Sequence, residues 1–184
     1  MNAHWIYEGN DNEVRFLLGE KGHKTLICIG INPSYARPEL LDRTICSVKK
    51  IALNSGYDSW LMINVYPQRA TKPNDLTKEI NKDYHYENLK QIKSIFDNNS
   101  CDIWAAWGTL INKRKYLFSC LKDIVSLAKD YSNNWYSFGK LTKHGHPHHP
   151  LFLSHSLKLD RFDIENYIKK INSFGEIPQM NFIK

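Results

Sequence analysis

Short apolar runs that alternate with helical patterns constrain the fold of this chain more than any other feature. Four runs, at residues 25–29, 60–65, 102–107 and 135–138, have the length of strands that are buried on both faces. Strands separated by helices form a mostly parallel sheet with right-handed crossovers and helices on both faces. The pattern therefore predicts an α/β fold, a three-layer α/β/α arrangement around a mostly parallel four-stranded central sheet.

The segments between and after these runs predict four helices. The first begins at a capping residue, Asp42, and stops at Gly56, and apolar stripes at helical spacing mark the others. A polar loop of unusual length at residues 66–82 is typical of functional segments. Residues 5–18 alternate loosely between apolar and polar, so they form either an edge strand pair or a loop. The tail after Gly175 has no regular pattern.

The length of 184 residues and the apolar content of 42% suit a single domain, residues 1–184, with a core at about 25–172 and peripheral ends. No apolar run approaches the ~20 residues that span a bilayer. The amino terminus also lacks the layout of a secretory signal. We therefore expect a cytoplasmic protein without membrane contact.

The cysteines and the net charge limit the possible partners. The four cysteines are scattered and are expected to be reduced and structural, so no metal or cofactor is predicted. They are Cys28, Cys46, Cys101 and Cys120. The net charge of +6 favours an anionic partner such as nucleic acid. A composition rich in Lys, Asn and Ile produces the same charge without a nucleic-acid partner.

A polar motif follows each predicted strand. These motifs lie at residues 30–36 (GINPSYA), 64–67 (NVYP), 107–108 (WG) and 142–151 (TKHGHPHHPL). The carboxyl ends of parallel strands meet at one edge of a sheet, where ligands bind. We therefore expect the four motifs to form one pocket.

The order of these motifs resembles a family of uncharacterised bacterial and phage proteins, a domain of unknown function. The resemblance covers residues from about 25 to 155 and also includes the sequences DRT at 42–44 and RAT at 69–71. That family in turn resembles the uracil-DNA glycosylase superfamily. The resemblance implies a uracil-DNA glycosylase-like fold and a site that takes a base out of the DNA helix.

The same resemblance implies two catalytic residues. Asn32 looks like the residue that orients a water beneath the sugar, and His149 looks like the donor to the departing base, with His146 as the alternative start of that motif. Breaking an N-glycosidic bond gives an oxocarbenium-like sugar and a negatively charged base, so the site must supply a hydrogen-bond donor and a held water. A neutral Asn is a poor base, which suits a slow enzyme.

Further residues are predicted to bind the substrate. They are Gly30, Ile31, Pro33, Ser34, Tyr35, Asn64, Tyr66, Arg69, Trp107, Gly108, Lys143, His146 and Leu151. Asn64 either matches the amide edge of a uracil-like base or satisfies local backbone groups. Tyr35 or Tyr66 either stacks on the base or simply packs. Arg69 and Lys143 either contact phosphate or belong to a solvated rim.

The loop that contains His149 leaves two further questions. His144, His146 and His148 alternate and could share one side of an extended segment, but no carboxylate or Cys lies nearby to complete a metal site. Residues 151–153 form either an apolar wedge that enters the space left by a flipped base or a short strand that returns to the core.

The leading hypothesis is a uracil-DNA glycosylase-like protein that recognises a pyrimidine-like base in DNA and cleaves its N-glycosidic bond. One alternative is a noncatalytic module that binds a nucleotide or modified nucleic acid in the same pocket. Another is an N-glycosidase that acts on free nucleosides or nucleotides. Ser34 and Tyr35 stand where many glycosylases carry an aromatic residue or Gly that selects the base, so the resemblance does not imply which base is bound.

Overall fold

The computed structural model describes residues 4–10, 12–97, 101–131, 133–154 and 158–174. Within these ranges the chain forms an α/β fold with seven strands and four α-helices. The strands are β1 (Trp5–Gly9), β2 (Arg15–Glu20), β3 (Thr25–Gly30), β4 (Ser59–Asn64), β5 (Asp102–Ala105), β6 (Asn134–Phe138) and β7 (Leu159–Arg161). The α-helices are α1 (Arg43–Asn54), α2 (Lys82–Asp97), α3 (Lys115–Ala128) and α4 (Ile164–Phe174), and 3-10 helices occur at Pro73–Asp75, Gly108–Lys113 and Pro150–Phe152.

All seven strands belong to one mixed sheet in the order β1-β2-β4-β3-β5-β6-β7. The four predicted strands β4, β3, β5 and β6 are mutually parallel and form its centre. The prediction of a mostly parallel centre is confirmed. The predicted size of four strands is wrong, because β1, β2 and β7 extend the sheet with antiparallel pairs.

The three additional strands lie at the two sides of the parallel centre, where the sequence signal is weak. β1 and β2 form a hairpin, so the alternative of an edge strand pair at residues 5–18 is the correct one. β1 is only partly buried, and β7 has three residues that are mostly exposed. Edge strands need no continuous apolar run, so only pairing with a neighbouring strand defines them.

The side chains of β3 alternate between two core clusters, one on each face of the sheet. Ile27 and Ile29 pack with residues of α2, α3 and α4, whereas Leu26 and Cys28 pack with α1. Each helix contributes an apolar stripe, such as Ile45 and Val48 of α1. The helices therefore cover both faces, as the alternation of strands and helices predicted.

Two expectations from composition can be compared with the structure. None of the four cysteines, all of which lie in the described ranges, forms a disulfide; Cys46 is exposed and the other three are buried. Burial raises the pKa of the Cys28 thiol well above its ordinary value, which keeps that thiol protonated. None of the helices in the described part of the chain is long and apolar enough to cross a bilayer.

The parallel ladder continues past the strand ends and brings the polar motifs together. Val65 N donates to Gly30 O at 2.9 Å, and Tyr66 N donates to Ile31 O at 3.0 Å. On the other side of β3, Ala106 N donates to Ile29 O at 2.9 Å. The loops that follow β3, β4 and β5 therefore leave the sheet at the same edge.

Candidate functional site

A cavity of about 430 Å³ lies at this edge, between the strand ends and the amino terminus of α1. Residues from the loops after β3, β4, β5 and β6 line it, as the positions of the motifs predicted. The predicted site residues that line it are Ile31, Asn32, Ser34, Tyr35, Trp107, Gly108, His149 and Leu151. Both predicted catalytic residues therefore face one cavity.

The Asn32 side chain is held in a fixed orientation. Its Nδ2 donates to Ala70 O at 2.8 Å and to Pro33 O at 3.0 Å. Because two carbonyl oxygens accept from this atom, it must be the amide nitrogen, and the other atom must be the oxygen. No described residue donates to Oδ1 of Asn32, so this acceptor is available to a water or a ligand in the cavity.

The His149 ring is fixed in one tautomer. Its Nδ1 accepts a hydrogen bond from Leu151 N at 3.3 Å, at the start of the 3-10 helix Pro150–Phe152. Burial lowers the pKa of His149 below its ordinary value of 6.5, against a smaller opposing effect of the Asp42 carboxylate. The neutral ring therefore carries its proton on Nε2. This N–H has no partner among the described residues and can donate to a ligand.

Gly108 allows the histidine loop to approach the end of β5. Its φ is +64°, and a Cβ built on it would lie 3.2 Å from the Cβ of His149. A side chain here would press on Cβ of His149. The Trp-Gly motif is thus explained by the close packing of two loops as well as by backbone conformation.

Asp42 brings a carboxylate to the cavity, although its sequence position indicated only a helix cap. Its Oδ1 accepts from Ile45 N at 2.9 Å and caps α1, as predicted. The residue also lines the cavity, and its charge acts on both His149 and Arg15. One side chain therefore both caps α1 and places a negative charge in the site.

Two predicted residues, Gly30 and Asn64, lie directly behind the cavity wall. They are paired in the β3–β4 register. Asn64 is fully buried, and its Oδ1 and Nδ2 have no hydrogen-bond partner among the residues that the structure describes. A Cβ on Gly30 would overlap Cε of Met62 and lie 3.0 Å from Oδ1 of Asn64. The thioether of Met62, which lines the cavity, therefore shares a small space with this amide.

Three other predicted residues support the loops from outside the lining. Arg69 donates to the carbonyl oxygens of Ser34 and Ala36 and to the hydroxyl of Tyr7, so it holds the loop after β3. Pro33 O accepts from Ala70 N at 2.8 Å. Tyr66 is buried, and its hydroxyl accepts from Asn81 N at 2.9 Å.

His146 and Lys143 also lie outside the lining. Nδ1 of His146 hydrogen-bonds with the Tyr167 hydroxyl at 2.8 Å, which in turn accepts from Nε1 of Trp107 at 2.8 Å. Burial lowers the pKa of His146, so its ring is neutral at neutral pH. The hydrogen bonds among these three rings link the end of β5 to α4. Lys143 is exposed.

The rim of the cavity carries exposed apolar side chains. Tyr35 is 56% exposed, Leu151 42% and Phe152 77%. Residues 150–152 form a 3-10 helix, so the alternative of a short strand that returns to the core is wrong. The ring of Phe152 packs against that of His149, with centroids 5.9 Å apart.

The described residues contain no group of three or more His, Cys, Asp or Glu side chains that could hold a metal ion. The alternating histidines of the loop therefore do not converge: His146 packs against Tyr167, and His144 is exposed.

The chain was compared with known proteins. A family described as "Protein of unknown function (DUF1643)" matches residues 15–151. The chain belongs to the DUF1643 family. No curated protein and no solved structure matches it. The predicted membership of a family of unknown function is thus confirmed, and the relation to uracil-DNA glycosylases stays a prediction.

The part of the chain that matches DUF1643 begins and ends with residues of the cavity, Arg15 and Leu151. Arg15 is a cavity residue that sequence reasoning missed, because residues 5–18 gave no clear element and the resemblance was traced only from residue 25. Arg43 and Thr44 also line the cavity, within the DRT sequence that carries part of the family resemblance.

Proposed function

We propose that this DUF1643 protein recognises a pyrimidine-like base in DNA and cleaves its N-glycosidic bond. The observation that carries the proposal is the shared cavity of Asn32 and His149, each with one functional atom that no described residue contacts by a hydrogen bond. Their motifs resemble those of uracil-DNA glycosylases, and the parallel centre with helices on both faces is compatible with a fold of that kind.

The proposed chemistry divides between the two residues. Nε2–H of His149 donates to a base oxygen and stabilises the negative charge that develops as the base departs. Oδ1 of Asn32 orients a water for attack on the anomeric carbon, and the water proton passes to solvent or to a nearby acceptor. The carboxylate of Asp42, in the same cavity, stabilises the positively charged sugar of the transition state.

Asn64 contributes to base recognition in this proposal. A buried amide with both polar atoms unsatisfied is costly, and such groups need an explanation. Met62 has a flexible side chain, and displacement of its methyl group would open a path from the cavity to Asn64. The amide could then pair with the edge of a uracil-like base.

The exposed residues at the cavity rim favour a DNA strand over a free base as the ligand. Exposed Leu151 and Phe152 can fill the gap that a flipped nucleotide leaves in the stack. Lys143, which is exposed on the same loop, is available to a phosphate.

The test is an assay for abasic sites on short duplexes and single strands that carry uracil, modified pyrimidines or mismatches. Wild-type protein should release a base from at least one substrate. Asn32→Ala and His149→Ala should each lower the rate by about a hundredfold, whereas His144→Ala, at an exposed position outside the cavity lining, should not change it.

A further variant separates structure from chemistry. Asp42→Ser keeps a helix cap but removes the charge, so it should fold normally and cleave more slowly. No cleavage by wild-type protein on any substrate would contradict the glycosylase proposal.

A noncatalytic binding module is the second candidate. The specific observation in its favour is that the residue expected to activate water is a neutral amide whose nitrogen is fixed by two carbonyl groups. Thermal stabilisation by nucleotides without release of any base would favour this candidate.

A further inference from the structure

Arg15 places a buried positive charge at the wall of the cavity. It is the first residue of β2 and is 1% exposed, yet it lines the cavity. Within the described residues the one hydrogen bond of its side chain runs from Nη1 to Ala36 O at 3.2 Å, and Nε is buried without a partner. No carboxylate forms an ion pair with it in the part of the chain that the structure describes.

The neighbours of Arg15 do not neutralise it. Burial and, to a smaller extent, the nearby Arg69 lower its pKa from 12.5 to about 10, against smaller opposing effects of Asp42 and Tyr7. The guanidinium therefore remains charged at neutral pH. Arg69 directs its own donors to backbone oxygens and to Tyr7. Two positive charges thus lie close together on this side of the cavity.

Asp42 is the acidic residue of the cavity lining, and its oxygen already caps α1. The lining also contains Arg43 and the first turn of α1, and the amino-terminal end of the helix dipole adds positive potential. Positive charge therefore exceeds negative charge around the cavity. A buried guanidinium is expensive, and an apolar residue of similar size would usually be more stable in its place. A ligand with negative charge would explain why an arginine is found there.

We propose that Arg15 forms an anion subsite that binds a phosphate group of the ligand. A phosphate matches the planar donors of a guanidinium, and a cavity of about 430 Å³ has room for a nucleotide whose phosphate reaches Arg15. The subsite does not depend on bond cleavage, so it goes beyond the glycosylase proposal. The phosphate belongs either to a free nucleotide or to the backbone next to a flipped base.

The test measures thermal unfolding with inorganic phosphate against sodium chloride of equal ionic strength. Phosphate at tenfold excess over its Kd should raise the Tm of wild-type protein by about 3 °C. Arg15→Met should lose this rise and be at least as stable as wild type without phosphate, because a buried unpaired charge is removed. Lys50→Met removes one charge from an exposed position of α1 and should keep the full rise.

A second variant covers the case in which Arg15→Met does not fold. Arg15→Lys keeps the charge but loses the planar donors, so its affinity for phosphate should fall by about tenfold. Unchanged affinity in Arg15→Lys, a retained rise in folded Arg15→Met, or no rise in wild-type protein would each overturn the subsite.

Three further ligands separate this subsite from base recognition and identify the source of the phosphate. Deoxyuridine tests the base alone, its 5′-monophosphate adds one phosphate, and a uracil-containing oligonucleotide adds a backbone. Stabilisation by phosphate but not by deoxyuridine would support the anion subsite while it contradicts pyrimidine recognition. Sensitivity to Arg15→Met that is confined to the monophosphate would assign the subsite to free nucleotides.

Discussion

At the scale of single residues, each candidate catalytic side chain is oriented by a hydrogen bond at one end and leaves the other end available. Nδ2 of Asn32 binds two carbonyl groups, and Nδ1 of His149 accepts a backbone N–H. Such fixed donors and acceptors need little reorganisation when a ligand binds, which is the property that favours catalysis by pre-oriented groups.

The first prediction concerns pH and His149. Burial lowers its pKa in the folded chain, so the unfolded chain binds more protons as the pH falls below the ordinary value of 6.5. His149 therefore contributes a loss of stability between pH 6.5 and its own lower pKa. His149→Asn keeps an acceptor for Leu151 N but cannot titrate. Its Tm should fall less than that of wild type between pH 7 and pH 5.

Circular dichroism melts at half-unit steps of pH provide the measurement, with His148→Asn as the matched control. The control should follow the wild-type curve. Parallel curves for wild type and His149→Asn would refute the proposed link, since His146 shifts in the same direction in both proteins.

The second prediction concerns the unsatisfied amide of Asn64. Leu has nearly the same shape and no polar atoms, so Asn64→Leu removes two unsatisfied buried groups. We expect the free energy of unfolding to rise by about 1 kcal/mol in urea titrations, while ligand binding or base release is lost. A lower free energy of unfolding for Asn64→Leu would show instead that the amide stabilises the folded protein.

At the scale of elements, the site depends on contacts between short segments that follow different strands. The 3-10 helix Gly108–Lys113 meets the histidine loop at Gly108, and the 3-10 helix Pro150–Phe152 packs against α1. Each segment is too short to be stable alone, so the geometry of the cavity depends on their mutual packing.

The third prediction compares two glycines with left-handed backbone. Gly108 has φ +64° and lies next to His149, whereas Gly56 has φ +81° and, apart from its chain neighbours, no atom of the described residues within 4 Å of an added Cβ. Ala at either position should cost about 1 kcal/mol of stability, because both place Cβ in a strained conformation. Only Gly108→Ala should also impair ligand binding or cleavage. Equal activity of the two variants would remove the link between this glycine and the site.

The fourth prediction concerns the exposed rim. Leu151→Ser combined with Phe152→Ser removes apolar surface that contributes little to the core, since the two side chains are 42% and 77% exposed. The Tm should change little, and affinity for a uracil-containing duplex should fall by about tenfold. Leu53→Ser is the matched control, because Leu53 is 48% exposed near the other end of α1. Fluorescence anisotropy with labelled DNA measures the effect.

At the scale of the whole molecule, the net charge of +6 and the charged groups around the cavity favour anionic partners. The charge itself does not distinguish a long strand from one phosphate group. The dependence of binding on salt does, because each phosphate that the protein neutralises releases condensed counterions from a strand.

The fifth prediction follows from this difference. If DNA is the partner, log K should fall with log salt with a slope of about −3 to −5, as expected for a few phosphate contacts. Binding of a mononucleotide should give a slope of about −1 or less. A nearly flat dependence for DNA would exclude a strand-bound substrate, and titrations between 50 and 300 mM salt are sufficient to decide.

The amino-acid sequence by itself determined the parallel centre, the helices and the edge at which the motifs meet. These features follow from local patterns: apolar runs of strand length, apolar stripes at helical spacing, and polar residues where strands end. Only the tertiary structure decided which motif residues face the cavity and which lie behind it. Asn32 depends on Ala70, and Arg15 depends on Ala36 and Arg69. Such contacts join residues far apart in sequence, and the edge strands β1 and β7 likewise exist only because a neighbour pairs with them.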